Sequence, residues 1–155
     1  MSRAEMRRGA RLSVVQALYE MEIGGRGVIE AMAEFEAFWI GKEVEEIELP
    51  KAEIAFFRDL LGGVVREQRL VDRTVDDLLA KGWPLKRVEA VVRAILRAGA
   101  YELAFRKDVP ARAVISEYVA VARAFYDGEE IGMVNAVLDR MAREFRADEF
   151  DAPAA

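Results

Sequence analysis

Apolar residues recur at intervals of three and four along almost the whole chain, and no stretch alternates convincingly enough to predict a strand. The first run predicts a helix over residues 3–23, with Leu12, Val15, Tyr19 and Ile23 in step. Ser2 and Glu5 stand at capping-box spacing before it, and Gly24, Gly25 and Gly27 end it. A second helix is predicted over 28–40, with Ile29, Met32, Phe35 and Trp39 on one stripe. Residues 41–50 hold Glu43, Glu45, Glu46 and Glu48 and read as a solvated loop. Residues 51–80 predict one long or two shorter helices, the first marked by Ile54, Phe57, Leu61, Val64 and Val65. Lys81, Gly82, Trp83 and Pro84 then stop the pattern, which makes them the candidate subdomain break. Val88, Val92, Ile95, Gly99 and Leu103 belong to the most apolar helix, as a buried central element requires. Asp108 and Pro110 turn the chain into a helix carrying Ile115, Tyr118, Val119, Ala122 and Phe125. Asp127 and Gly128 break that helix, and the last one carries Val134, Val137, Leu138, Met141 and Phe145. The prediction is an all-α protein of about seven helices. One domain covers residues 1–150, with a break near 81–84, and residues 151–155 form a flexible tail.

Composition narrows the chemistry. A chain of 155 residues, 53% hydrophobic, can bury a core without staples. It contains no cysteine and no histidine, which excludes disulfides, thiolate nucleophiles, histidine-based triads and His/Cys zinc sites. Asp76 and Asp77, Glu129 and Glu130, and Glu45 and Glu46 are adjacent pairs on exposed-looking segments, and adjacent residues on a helix point about 100° apart, poor geometry for sharing a substrate. The glycines form no phosphate-binding pattern. The residues therefore predict neither an enzyme nor a cofactor or metal site. No apolar run approaches the roughly 18 residues of a membrane span, and the N-terminus lacks a secretion signal, so the expected compartment is the cytoplasm.

With 23 basic against 28 acidic residues the net charge is −5, so any nucleic-acid contact must be a local patch. Arg3, Arg7, Arg8 and Arg11 against Glu5 leave +3 in residues 3–11. Cations at a helix start oppose its dipole, and an anionic partner removes that conflict; the plain alternative is a solvated basic terminus. Lys86, Arg93 and Arg97 line one side of the central helix with Arg87 nearby, as a partner surface or as a solvated face. Tyr19, Tyr101, Tyr118 and Tyr126 are either core residues or stacking platforms. Tyr19, with Gln16 one turn before it, shares its helix with the arginines.

Three segments in series resemble one family. RRGARLSVVQALYEME, RAILRAGAYELAFRKDVPARAVISEYVAVARAF and MVNAVLDRMARE are similar, in order and spacing, to motifs of the bacterial NusB transcription antitermination family, over essentially the whole chain. The resemblance implies two antiparallel three-helix units sharing one core and a non-enzymatic function. It implies binding of single-stranded boxA RNA together with NusE, a small-subunit ribosomal protein. The pair then joins other Nus factors on RNA polymerase and suppresses termination, notably during ribosomal RNA synthesis. Arg7, Arg8 and Arg11 match the family's RNA-binding arginines, Tyr19 its following tyrosine and Met133 its Phe, with Gln16 alongside. Arg93, Arg97, Arg112 and Glu117 are the implied contacts to NusE.

The departures fall on that surface. Gly9 replaces a further arginine, Met133 the Phe, and Ala136 a glycine. Glu129 and Glu130 precede Met133 where some relatives carry Ser, His and Lys, Val92 replaces an acid, and Ala111 a tyrosine. Two alternatives stand beside this reading. One is a helical homodimer that hides its RNA face. The other is the RNA-binding part of a ribosomal RNA methyltransferase, for whose catalytic fold and cysteine this chain has no room.

Overall fold

A computed structural model of the chain describes residues 2–41, 43–44, 47–48, 51–79 and 88–150. The described residues form eight α-helices and one minimal strand pair. The chain divides into two compact units, Met1–Arg66 and Glu67–Ala155.

The first unit opens with α1 (Arg3–Gly24). Its start is the predicted capping box: the Ser2 hydroxyl accepts from the Glu5 N–H at 3.1 Å and donates to the Glu5 carboxylate. Its end is Gly25, at φ 67°, whose N–H reaches the Met21 carbonyl. The buried side runs through Ala10, Val14, Val15, Ala17 and Leu18, while Leu12 and Tyr19 are half-buried and Ile23 is 65% exposed. The predicted stripe is thus rotated. Apolar residues occupy more than one face of this helix, and packing against α3 (Ile54–Arg66) selects the face with the small alanines.

The predicted helix over 28–40 is α2 (Val28–Glu34), extended by a π-helical turn, Phe35–Trp39, in which the Ile40 N–H bonds the Phe35 carbonyl. Ala31 and Phe35 point inward, and Phe35 stacks on Phe57 of α3 with ring centroids 6.2 Å apart. Ile29, expected on the inner stripe, is 80% exposed. The widened turn holds five residues and ends a rhythm that a regular helix would continue. In the 41–50 segment, expected to be a solvated loop, the described residues include a strand pair: β1 (Glu43–Val44) pairs antiparallel with β2 (Ile47–Glu48). In α3, Phe56, Phe57, Leu60, Leu61 and Val64 form the unit's core.

The second unit begins with α4 (Gln68–Leu78), so residues 51–80 hold two helices that meet at Glu67. No glycine or proline marks that junction, which is why the division seen here has no local signature. The stop at Lys81, Gly82, Trp83 and Pro84 and the tail at 151–155 lie outside the described residues.

Helix α5 (Ala90–Phe105) is the central element predicted, with Val92, Ile95, Leu96, Gly99 and Leu103 buried. It packs against α4, α6 (Ala111–Phe125) and α7 (Glu129–Phe145). Gly99 permits the close approach of α7: a Cβ there would sit 2.8 Å from a Leu138 methyl and 3.4 Å from the Tyr118 ring. Gly99→Val is expected to cost about 1–3 kcal/mol through overpacking. Adding Leu138→Ala should return part of that loss, and urea midpoints of the three variants measure the coupling.

The last turn of α5 is closed from elsewhere. Arg146, 2% exposed, follows α7 and precedes the short helix α8 (Ala147–Phe150). Its guanidinium donates to the carbonyls of Leu103 at 2.7 Å, Val109 and Arg106 at 2.9 Å, and Glu102 at 3.3 Å. Carbonyls at a helix C-terminus have no partner within the helix, and a cation there also suits the dipole. Arg146 reaches Glu149 as well, whose other oxygen accepts the Ala111 N–H at the start of α6. The Ala111 N–H first, then Arg146, holds the Glu149 carboxyl below its ordinary range. A depressed folded value means that this contribution is full above the ordinary glutamate value. It is lost as pH falls below that value, through the depressed one. Glu149→Gln is expected to flatten that part of a plot of urea midpoint against pH.

Candidate nucleic-acid interface

The arginines of α1 divide by helical phase. Arg7, its side chain 13% exposed, donates from Nε to Glu53 at 3.2 Å and lies over the Phe56 ring at 4.4 Å. Arg11 is 4% exposed and lies over the same ring at 5.0 Å. Arg3 shares the Glu53 carboxylate at 3.6 Å. Glu53 is itself anchored by its N–H on the Met6 carbonyl. Glu53 and Phe56 therefore hold the inner side of the basic cluster and neutralise part of it, an arrangement that pairs residues 46 positions apart and left no trace in local spacing.

Arg8 is exposed, with Leu12, Gln16 and Tyr19 half-buried along the same side of α1. Successive steps of four, four and three keep these residues in line. Arg8 and Tyr19 are about 16 Å apart along the axis at 1.5 Å per residue. The structure thus brings one cation, one amide and one aromatic ring onto an open stripe, and sets Arg7 and Arg11 behind it. The other tyrosines are structural: Tyr101 and Tyr118 are buried, and the Tyr118 hydroxyl donates to the buried Glu102 carboxylate at 3.0 Å. The Tyr126 hydroxyl is buried close to the Glu89 carboxylate. Burial, with the Glu89 and Glu130 carboxylates nearby, holds that phenol far above its ordinary range.

In the second unit Met133 is half-buried on α7. Glu129 and Glu130, awkward for a phosphate ligand, occupy the first turn of that helix, where its dipole favours carboxylates. Gly132 is exposed with open space where a side chain would stand, and Ala136 is also exposed. Val92 is buried, so the acid of some relatives is here a core residue.

The four residues expected at a partner surface also separate. Arg97 forks onto Asp72 of α4, with Nε and Nη2 at 2.7 and 3.0 Å from the two carboxylate oxygens. Arg93 bonds the Val88 carbonyl. Both are half-buried and join or cap elements of the unit, whereas Lys86 and Arg87 lie outside the described residues. On α6, Arg112 is exposed with its guanidinium 5.0 Å from the Phe150 ring centre, and Glu117 is half-buried. Among the described residues no group of acidic side chains could hold a metal ion, and no helix is long and apolar enough to cross a membrane.

Comparison with known proteins places this architecture. The NusB family profile matches residues 8–143. A relative from Rhodopseudomonas palustris (strain TIE-1), transcription antitermination protein NusB, is 62% identical over 148 residues, 96% of this chain and 85% of the relative. The structure of NusB from T. maritima superposes with a TM-score of 0.76 at 25% identity, covering 94% of this chain and 96% of that one. A structure of antitermination factors NusB and NusE in complex with double-stranded RNA shares the fold, with a TM-score of 0.75 at 24% identity over 94% of this chain and 100% of the other. A profile match running from Arg8 in α1 to Arg143 in α7, and a relative aligned over nearly the whole chain at 62% identity, make this chain a member of the NusB family, whose proteins are transcription antitermination factors and not enzymes.

Proposed function

We propose that this protein binds a single-stranded boxA-type RNA jointly with NusE and helps assemble the antitermination complex, with other Nus factors, on RNA polymerase during ribosomal RNA transcription in the cytoplasm. The observation that carries the reading is the open stripe of Arg8, Gln16 and Tyr19 on α1 of a chain whose net charge is −5. In single-stranded RNA recognition, cations hold phosphates while aromatic faces stack unpaired bases and amides bond base edges. Arg7 and Arg11, fixed by Glu53 and Phe56, position the stripe and add a nearby positive field. Met133, on α7, supplies a soft thioether contact where relatives stack a Phe. Arg112 and Glu117 on α6 are the NusE contacts best placed to meet a partner, while Arg93 and Arg97 act by holding α5 in position.

The test is fluorescence anisotropy of a labelled boxA-type RNA titrated with this protein, with and without NusE, at two salt concentrations. Weak binding alone, tightened by NusE and weakened by salt, is the expected result. Absence of binding under all four conditions, from folded protein, overturns the reading. Light scattering of the protein with and without RNA in the same series detects a homodimer that dissociates as RNA binds.

A further inference from the structure

We propose that the cleft formed by α6, α7 and α8 of the second unit is a docking site for a short, extended acidic segment of a protein partner. The cleft has a volume of about 350 Å³, at the small end of ligand sites and enough for a few side chains. Arg112 and Arg123, from opposite ends of α6, both line it. Both are exposed, and neither meets a carboxylate among the described residues. One carboxylate, Asp139, also lines the cleft. Asp139 is paired with Arg143 at 2.9 Å, and the Glu149 oxygens are taken by Ala111 and Arg146. Two arginines thus face one carboxylate, itself paired with Arg143, in the lining of a cleft on a chain of −5. Arg112 stands in the first turn of α6, where the helix dipole opposes a cation and an incoming anion relieves it.

The shape of the charge specifies the occupant. Arg112 and Arg123 are about 16 Å apart along the helix axis, the span of about five extended residues. Between them the floor is aliphatic, from Ile115 and Val119. The Ser116 hydroxyl and Asn135 amide line the walls and bond no other described residue, so they are available to a peptide backbone. Carboxylates at both ends of a segment with an apolar centre satisfy all of these groups. A single-stranded nucleic acid fits less well because such ligands rely on bare aromatic faces. The cleft's aromatic ring, Phe150, already has the guanidinia of Arg112 and Arg143 at 5.0 and 4.8 Å.

Arg112 is common to this cleft and to the NusE surface proposed above, whereas Arg123, Ser116 and Asn135 belong to the cleft alone, so the test is built on those. A fluorescein-labelled pentapeptide of sequence Glu-Leu-Asp-Val-Glu, capped at both ends, is titrated with the full chain. Its control replaces the acids by Gln and Asn. The acidic peptide is expected to bind and to weaken about tenfold with Arg123→Glu, more mildly with Asn135→Ala, and with added salt. Circular dichroism establishes that both variants are folded, and boxA RNA binding with NusE should be unchanged in them, which separates this site from the family function. Three results overturn the proposal: no binding of the acidic peptide at millimolar protein, equal binding of the neutral control, or insensitivity to Arg123→Glu. Binding of a uridine pentanucleotide with the same dependence on Arg123, in preference to the peptide, assigns the cleft to RNA instead and equally overturns it.

Discussion

Arg146→Met is expected to cost about 3–5 kcal/mol, a large share of the stability of a domain this size. The residue is nearly completely buried and donates to four carbonyls from the end of α5 and the turn after it. Methionine fills the volume but supplies no donor, so buried carbonyls lose a partner at about 1–3 kcal/mol each where no other donor replaces it. It also leaves the Glu149 carboxylate without its cation, loosening the bond that starts α6. Arg146→Lys should fall between the two, because one ammonium cannot reach carbonyls that a planar fork reaches together. Urea titration followed by far-UV circular dichroism measures all three proteins. A methionine variant within about 0.5 kcal/mol of the parent would show that water takes over the donor role.

Removing the Tyr19 ring is expected to have the largest effect on RNA. Tyr19→Ala should weaken boxA-type RNA binding by about 1–3 kcal/mol, the range for one lost base–aromatic stack. Tyr19→Phe should retain most of the affinity, because the face and not the hydroxyl does the stacking. Arg8→Ala should reduce the slope of log affinity against log salt by about 0.7, one phosphate contact on a single strand. Arg7→Ala is expected to show itself in stability, because its guanidinium is engaged by Glu53 and Phe56. An unchanged affinity in folded Tyr19→Ala, or a larger slope change from Arg7 than from Arg8, would reverse this assignment of roles along α1.

Helix ends and helix faces differ in how far local sequence fixes them. The start and end of α1 are legible because caps are local: Ser2, Glu5 and Gly25 act within one turn of the residues they serve. The same holds for α5, where an apolar run long enough to be buried all round leaves little choice of face. The face of α1 is another matter. Leu12 and Tyr19 keep a valid helical rhythm, yet Val14 and Leu18 keep one too, and only contact with α3 and α2 selects between them. Ile29 lies outside because Ala31 and Phe35 take the inward face of α2, and past Phe35–Trp39 the rhythm fails because a single wide turn shifts the phase of everything beyond it. The short β1–β2 pair has two residues per strand, too few for an alternation to register.

The candidate surface shows the same division. Arginines at positions 3, 7, 8 and 11, with Tyr19 downstream, are countable in the chain, as is their conflict with the net charge and the helix dipole. Which of them faces outward depends on Glu53 and Phe56, contributed by the approach to α3 and by α3 itself. Arg97 likewise looks like a solvated basic edge until Asp72 of α4 is seen beside it.

By itself, then, the sequence determined the helical class, most helix limits, the absence of histidine and cysteine chemistry, and the family, since each rests on residue type, short-range spacing or motif order. Only the tertiary structure decided that Arg7 is tied to Glu53, that Arg146 closes α5, and that α6, α7 and α8 form a cleft lined by Arg112 and Arg123. The physical reason is range. Caps and periodicity act over one or two turns, whereas ion pairs, ring contacts and clefts arise where segments dozens of residues apart meet, and pairwise proximity of that kind has no local signature in the chain.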